Sequence, residues 1–248
     1  MTKKTTLILF YGAIALICVA VVILSRYLHH QNESSGAMPD QPTAIVNSGK
    51  TEAEQWFAIE EDLVATNQEG KEVKLSDLKG KVWLAAEFFA VCPMCAQRNG
   101  EELHKIYEAY GDHPDFHIVC ISVDPENDDV ERLAAYGKAL NADPKKWWFL
   151  NAGSEEHTHH YLEEELKFFG VRERKDPADI EANGRFAHDL GFLLVDRDFR
   201  VIGKWPLADA RSPDAKQRQP GLYEELKKDL FERLRAELEN DQEIPTQP

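Results

Sequence analysis

The chain has 248 residues, a formal net charge of −15 and a sequence pI near 5.0. This length suits one well-buried domain with appendages and is short for two ordinary domains. The acidity argues against a nucleic-acid-binding surface, because the chain has no basic stripe that could neutralise phosphates. We therefore expect one acidic domain with terminal extensions.

The first 28 residues differ in kind from the rest of the chain. After Lys3 and Lys4, an uncharged stretch runs from Thr5 to Ser25. About 20 helical residues cross a hydrocarbon core of roughly 30 Å, so residues 1–28 are predicted to hold one transmembrane helix. The alternatives are a cleaved signal peptide and a buried core helix. The two lysines should stay on the cytoplasmic side, which places the remainder of the chain on the extracytoplasmic side of the membrane.

The polar segment that follows the predicted anchor has little apolar surface. Residues 29–53 are rich in Ser, Gly and Pro, and they are predicted to form a flexible linker. The folded domain is then expected over residues 54–240. The acidic, proline-containing residues 241–248 are predicted to be a disordered tail.

The first half of the domain has the pattern of strands that alternate with helices. Apolar runs predict strands, and Gly70 can adopt the positive φ that a tight turn needs. The predicted elements are a hairpin over 63–75, a buried strand over 82–89, a helix over 93–110, a second buried strand over 116–123 and a helix over 128–140. This βαβα order implies a largely parallel central sheet with helices on its faces.

The second half is less regular. It contains an aromatic patch over 147–149, a predicted helix over 160–169, a polar loop over 172–187, two strands within 191–205 and a final amphipathic helix over 223–240. Together with the first half, this order predicts a thioredoxin-like α/β sandwich with a central mixed sheet, preceded by the transmembrane helix.

Cys92 and Cys95, in the run Cys-Pro-Met-Cys, stand where a predicted strand ends and a predicted helix begins. The partial positive charge of a helix N-terminus lowers the pKa of a thiol there. The spacing of three places both sulfurs on one helical face, close enough to form a disulfide or to bind one soft cation. The sequence has no second Cys or His pair of the kind that a structural zinc site needs. Two roles stay open: dithiol–disulfide exchange, and copper binding with a third ligand from elsewhere.

His188 is the best candidate for that third ligand. It lies where the polar loop over 172–187 meets the strand that is predicted to begin near Gly191. Ligands of open α/β sheets gather at the carboxyl ends of strands and on the neighbouring loops. The alternative is a histidine that is hydrogen-bonded for structural reasons alone.

Three other features of the sequence could carry chemistry. Glu87 lies within an apolar strand, where a carboxylate is costly unless it is paired or faces a cleft, and it could accept a proton near the dithiol. The His-Thr-His-His run at 157–160 is either an accessory metal patch or a solvated helix start. Cys120 is expected to be an inert buried thiol.

Several short segments follow one another in a characteristic order within residues 63–205. They are Asp-Leu-Lys-Gly-Lys-Val-Trp at 77–83, Ser-Val-Asp-Pro at 122–125, Ala-Asp-Pro at 142–144, Trp-Phe-Leu at 148–150, His-Asp at 188–189 and Phe-Leu-Leu-Val-Asp at 192–196. On the order of these segments, rather than on one motif, the chain resembles the Sco/SenC family over most of residues 63–205.

The resemblance implies a thioredoxin fold that binds copper through two cysteines and one histidine. Carried over, Cys92 and Cys95 would be the thiolate ligands and His188 the imidazole ligand. Such proteins deliver copper to the dinuclear copper centre of cytochrome c oxidase, or keep the cysteines of that centre reduced. The family usually separates its two cysteines by three residues, whereas two stand between them here. This shorter spacing suits a disulfide, so a membrane-tethered thiol-disulfide oxidoreductase without metal is the alternative function.

Overall fold

The structure is a computed structural model that describes residues 57–91 and 99–239. Ten strands lie within these residues. In chain order they are β1 (Phe57–Ala58), β2 (Val64–Asn67), β3 (Glu72–Lys74), β4 (Val82–Phe88), β5 (Phe116–Ser122), β6 (Trp147–Asn151), β7 (Arg172–Glu173), β8 (Phe186–Ala187), β9 (Phe192–Val195) and β10 (Arg200–Trp205).

Helices and one short 3-10 turn, Leu75–Leu78, connect the strands in this part of the chain. The helices are α1 (Glu101–Tyr110), α2 (Val130–Ala139), α3 (Glu155–Glu164), α4 (Pro177–Asn183), α5 (Leu207–Ala210), α6 (Pro213–Arg218) and α7 (Leu222–Glu239). The predicted helix over 93–110 is confirmed from Glu101 onwards, and its first residues lie outside the described ranges.

Eight of the strands form one mixed sheet in the order β1-β10-β9-β4-β5-β6-β2-β3. Only the β4–β5 and β5–β6 pairings are parallel, while all other pairings in this sheet are antiparallel. The expectation of a largely parallel sheet was therefore wrong outside these three strands. The βαβα order governs only the first half, whereas the two hairpins, β2–β3 and β9–β10, add antiparallel strands at both sides.

The centre of the sheet is β4, and every one of its residues is buried. It lies between β5 and β9, so both of its edges are hydrogen-bonded and both of its faces are covered. One face packs against α3 through Tyr161 and Leu162. On the other face, the ring of Tyr136 in α2 packs against that of Phe88, with 5.1 Å between centroids. The ring of Tyr107 in α1 packs against that of Trp147, with 5.4 Å between centroids. Helices on both faces make the domain an α/β sandwich.

The aromatic patch over 147–149, to which the sequence assigned no element, belongs to a strand, β6. Two sequence-based assignments needed correction. The helix predicted over 160–169 begins earlier, because the Ser154 hydroxyl caps α3 by accepting a hydrogen bond from the His157 backbone N–H. It also ends earlier, and Lys167 beyond it has a positive φ of 54°. The predicted polar loop over 172–187 contains the β7–β8 hairpin and, between its strands, α4, which Asp176 caps and Pro177 begins.

The described residues do not include the predicted terminal extensions. These extensions are the anchor at 1–28, the linker at 29–53 and the tail at 241–248. Within residues 57–91 and 99–239, no helix has both the length and the apolar character that crossing a bilayer requires.

His117 is an unusual core residue on β5. It is 1% exposed, and neither ring nitrogen has a hydrogen-bond partner among the described residues. Its ring meets the ring of Trp148 edge-on, with 4.4 Å between centroids. Burial, together with the positive charges of Lys81 and Lys146, lowers the pKa of His117 from 6.5 to about 3.

We expect His117 to make the domain acid-sensitive. In the unfolded state the His117 imidazole takes up a proton near pH 6.5, whereas in the folded state it does so only near pH 3. The free energy of unfolding should therefore fall as the pH drops below 6.5. Between pH 6.5 and about pH 5 this group should cost about 1.5 kcal/mol of unfolding free energy. Urea unfolding of wild type and His117→Phe at both pH values isolates this contribution, because other titrating groups are common to both proteins. A difference between the two proteins that does not change with pH would contradict it.

Candidate functional site

Three segments that are distant in sequence meet at one edge of the sheet, namely the edge formed by the carboxyl ends of β4 and β5. Phe88 at the end of β4 lies opposite Ser122 at the end of the parallel strand β5. The antiparallel strand β9 begins at the same edge, because Phe192 pairs with Ala86. The loop before β9, which carries His188, therefore lies beside the carboxyl ends of the two central strands. This is the edge at which open α/β sheets collect their ligands.

Cys92 and Cys95 lie in residues 92–98, outside the described ranges, but both flanks of that segment are fixed at this edge. Before it, the Ala90 backbone N–H donates to the Asp128 carboxylate at 2.9 Å. After it, the Asn99 side-chain amide donates to the Leu190 carbonyl at 3.2 Å. The second contact ties the start of the helical region directly to the His188 loop. Asn99 was not predicted as a site residue, and no sequence signal identified it.

His188 is buried, and its orientation is set by its own loop. The ring nitrogen Nδ1 lies 2.8 Å from the backbone carbonyl of Asp189 and 3.6 Å from the Glu87 carboxylate. A carbonyl oxygen only accepts, so Nδ1 carries the hydrogen, and in the neutral imidazole the lone pair is on Nε2. The Phe89 ring packs edge-on against the imidazole, with 5.6 Å between centroids. This arrangement is typical of metal-binding histidines, which donate their second ring N–H to a carbonyl or carboxylate.

Glu87 has the partner that a carboxylate in a core strand requires. Its Oε2 accepts the Asp189 backbone N–H at 2.7 Å, while Oε1 is buried without a hydrogen-bond partner in the described part of the chain. Burial raises the pKa of Glu87 to about 7, and the neighbouring His188 acts in the opposite direction. Glu87 thus supports the His188 loop from β4, while its suggested role as a proton acceptor stays a prediction.

Asp189 holds the loop together. Its carboxylate accepts the backbone N–H groups of Gly191 at 2.8 Å and Phe169 at 3.0 Å, and it forms a buried ion pair with Lys204 of β10. Its backbone contacts Glu87 through the N–H and His188 through the carbonyl. Charge inside an apolar strand was the signal that pointed to Glu87, and Lys204 carries the same signal in β10. Sequence reasoning did not use it there.

Among the histidines of the 157–160 run on α3, His159 has a structural role. The Nε2 of His159 lies 2.7 Å from the Val123 carbonyl, and its ring packs edge-on against Phe186 at 5.4 Å. No group of three or more His, Cys, Asp or Glu side chains within residues 57–91 and 99–239 is arranged to hold a metal. Cys120 is buried as expected. Burial raises the pKa of its thiol to about 12, and its sulfur accepts the Trp147 ring N–H at 3.3 Å.

Comparison with known proteins gives a consistent family. Residues 51–218 match the SCO1/SenC family model. The chain is 33% identical over 141 residues to the SCO1 protein homolog of Bacillus subtilis (strain 168), and the match covers 55% of this chain and 67% of that protein.

Two solved structures have the same fold. One is BsSco, a member of the Sco family of cytochrome c oxidase assembly proteins in which a disulfide switch was identified. It aligns with a TM-score of 0.56 at 22% identity, and the alignment covers 77% of this chain and 100% of that chain. ScoI of Bradyrhizobium japonicum, solved with copper bound, aligns with a TM-score of 0.50 at 24% identity, covering 69% and 99%.

These structural likenesses confirm the predicted thioredoxin-like α/β sandwich with a central mixed sheet. The family match spans most of the described residues and includes the strands and loops that form the edge around His188. The chain belongs to the SCO1/SenC family.

Proposed function

We propose that this protein binds copper through Cys92, Cys95 and His188, and that it serves cytochrome c oxidase assembly by delivering copper or by keeping thiols reduced. The observation that carries the proposal is the geometry of His188. Its Nδ1–H is bound by the Asp189 carbonyl, so Nε2 is the nitrogen that would coordinate a metal. The proposed partner is the copper-centre subunit of cytochrome c oxidase or another protein with copper-binding thiols.

The donor set suits copper as cargo. Two thiolates and one imidazole form a soft, low-coordinate site, and soft ligands select Cu(I). The attachment of Ala90 and Asn99 to the edge around His188 supports the proposal that the intervening cysteines reach the same site. The Bradyrhizobium relative that is solved with copper bound supports the choice of metal.

The second candidate function is a thiol-disulfide oxidoreductase that uses Cys92 and Cys95 without metal. The observation that favours it is the spacing of two residues between the cysteines. In such a pair the first thiolate attacks a partner disulfide and the second thiol resolves the mixed disulfide, releasing a reduced partner. This function needs no imidazole ligand, so copper binding and its dependence on His188 separate the two candidates.

We also propose that the protein is a single-pass membrane protein with its domain, residues 54–240, on the extracytoplasmic side. The uncharged stretch from Thr5 to Ser25 after two lysines supports this topology. A reporter that is active only after export, fused behind Asn240, should be active, because the lysines favour retention of the N-terminus in the cytoplasm. A reporter that is active only in the cytoplasm, fused at the same residue, is the matched control. Activity of the second reporter and inactivity of the first would contradict the topology.

The copper proposal predicts one copper per chain that depends on His188. Reduced, purified protein is loaded with Cu(I) and dialysed against a competing chelator, and copper per chain is measured. His188→Ala should bind copper at least about tenfold more weakly, because a ligand is lost. The Cys92–Cys95 disulfide should still form in this variant on oxidation.

His159→Ala is the matched control, since it removes an imidazole from the same edge of the sheet. We expect this control to retain copper like the wild type. Equal and negligible copper in the wild type and in His188→Ala would refute the copper proposal and favour the oxidoreductase.

A further inference from the structure

Lys204 is a buried charged residue beside the loop that bears His188. Its side chain is 7% exposed, and its ammonium group pairs with the Asp189 carboxylate, whose side chain is 2% exposed. Lysine is almost never buried to this extent unless it is paired. We propose that Lys204 is a positioning residue that holds the imidazole of His188 for copper through Asp189. This inference rests on the copper-binding function proposed above.

A continuous set of contacts leads from Lys204 to the imidazole. The ammonium binds Oδ2 of Asp189, and Oδ1 of Asp189 accepts the Gly191 backbone N–H at 2.8 Å. When an aspartate carboxylate accepts a hydrogen bond from the backbone N–H two residues later, the two form an Asx turn, which restricts the backbone torsions of the aspartate. These torsions set the direction of the Asp189 carbonyl, and that carbonyl is the acceptor for Nδ1 of His188. Lys204 therefore acts on the imidazole through one carboxylate and one peptide group.

The path of the lysine side chain is itself restricted. A Cβ atom at Gly191 would lie 2.7 Å from Cε of Lys204, so any larger residue at position 191 would displace the lysine side chain from its present path. The ammonium lies 4.1 Å from the ring centroid of Phe169 and 5.5 Å from that of Phe168. Aromatic faces attract a cation and also exclude water from it. The ammonium is therefore kept at Asp189 rather than in solvent.

A purely structural role would have different consequences. If Lys204 only neutralised a buried carboxylate, its loss would reduce stability and leave the imidazole of the folded protein unchanged. If it positions His188, its loss should release the Asx turn and change the tautomer of the ring. The tautomer is therefore the measurement that separates the two roles, and it can be observed without metal.

The first experiment uses the reduced, metal-free chain with isotope-labelled histidine. Proton–nitrogen NMR correlations should show the Nδ1–H tautomer of His188 in the wild type. Lys204→Met keeps the apolar stem but removes the ammonium, and it should give a mixture of tautomers. Lys204→Arg retains a cation and should stay closer to the wild type.

The second experiment measures copper retention against a chelator in the same proteins. Loss of a residue that orients a ligand typically weakens metal binding by about tenfold or more, and we expect this loss for Lys204→Met and a smaller one for Lys204→Arg. Arg197→Met is the control. It removes a basic residue of the same β-hairpin whose guanidinium pairs with Asp115 at 3.3 Å, and it should match the wild type in both measurements.

The outcomes separate this inference from the copper proposal. Wild-type tautomer and wild-type copper affinity in Lys204→Met would overturn the positioning role and leave the copper proposal intact. If the wild type binds no copper but Lys204→Met has a changed His188 tautomer, the copper proposal is refuted. The control of the imidazole by Lys204 is then still supported. If Lys204→Met does not fold, Lys204→Gln takes its place, because it also removes the charge. Wild-type behaviour of Lys204→Gln would then overturn the inference.

Discussion

The buried carboxylate of Asp189 is the constraint on which this edge of the domain depends. A charge at this depth is costly unless it is fully paired, and Asp189 is paired by two backbone N–H groups and one ammonium. These partners come from the segment after α3, from its own loop and from β10. The backbone of Asp189 adds contacts with Glu87 on β4 and with His188. A single residue thus joins the central strand, the hairpin strand and the candidate ligand.

This construction suits a protein that must bind a soft metal and then release it. A histidine with a fixed tautomer is prepared for coordination, so little reorganisation is needed when a metal arrives. A site of two thiolates and one imidazole leaves copper with few ligands, which is compatible with transfer to a partner that offers thiols. The same cysteines without a metal could exchange disulfides. The choice between the two candidate functions therefore depends on His188 and not on the dithiol, because the dithiol is common to both.

The sequence was sufficient for the parts of the fold that local patterns determine. Apolar runs identified β4 and β5, and Gly70, which has a φ of 73°, marked the turn between β2 and β3. Local patterns could not reveal contacts between residues that are far apart in the chain. The Asn99 contact with Leu190 arises only when β4 and β9 pair, and the Lys204 contact with Asp189 arises only when β9 and β10 pair. Glu87 was noticed because charge is unusual in a buried strand, but its partner was not predictable from the strand itself. The placement of Cys92 and Cys95 beside His188 remains a proposal that depends on contacts at both flanks of their segment.

X-ray absorption at the copper edge tests the central claim most directly, because it reports the atoms that surround the metal. Reduced protein loaded with one equivalent of Cu(I) should show two sulfur neighbours and one nitrogen neighbour, together with the outer scattering that an imidazole ring produces. In His188→Ala the imidazole scattering should disappear while the sulfur contribution stays. A wild-type spectrum without imidazole scattering, unchanged in His188→Ala, would contradict the account.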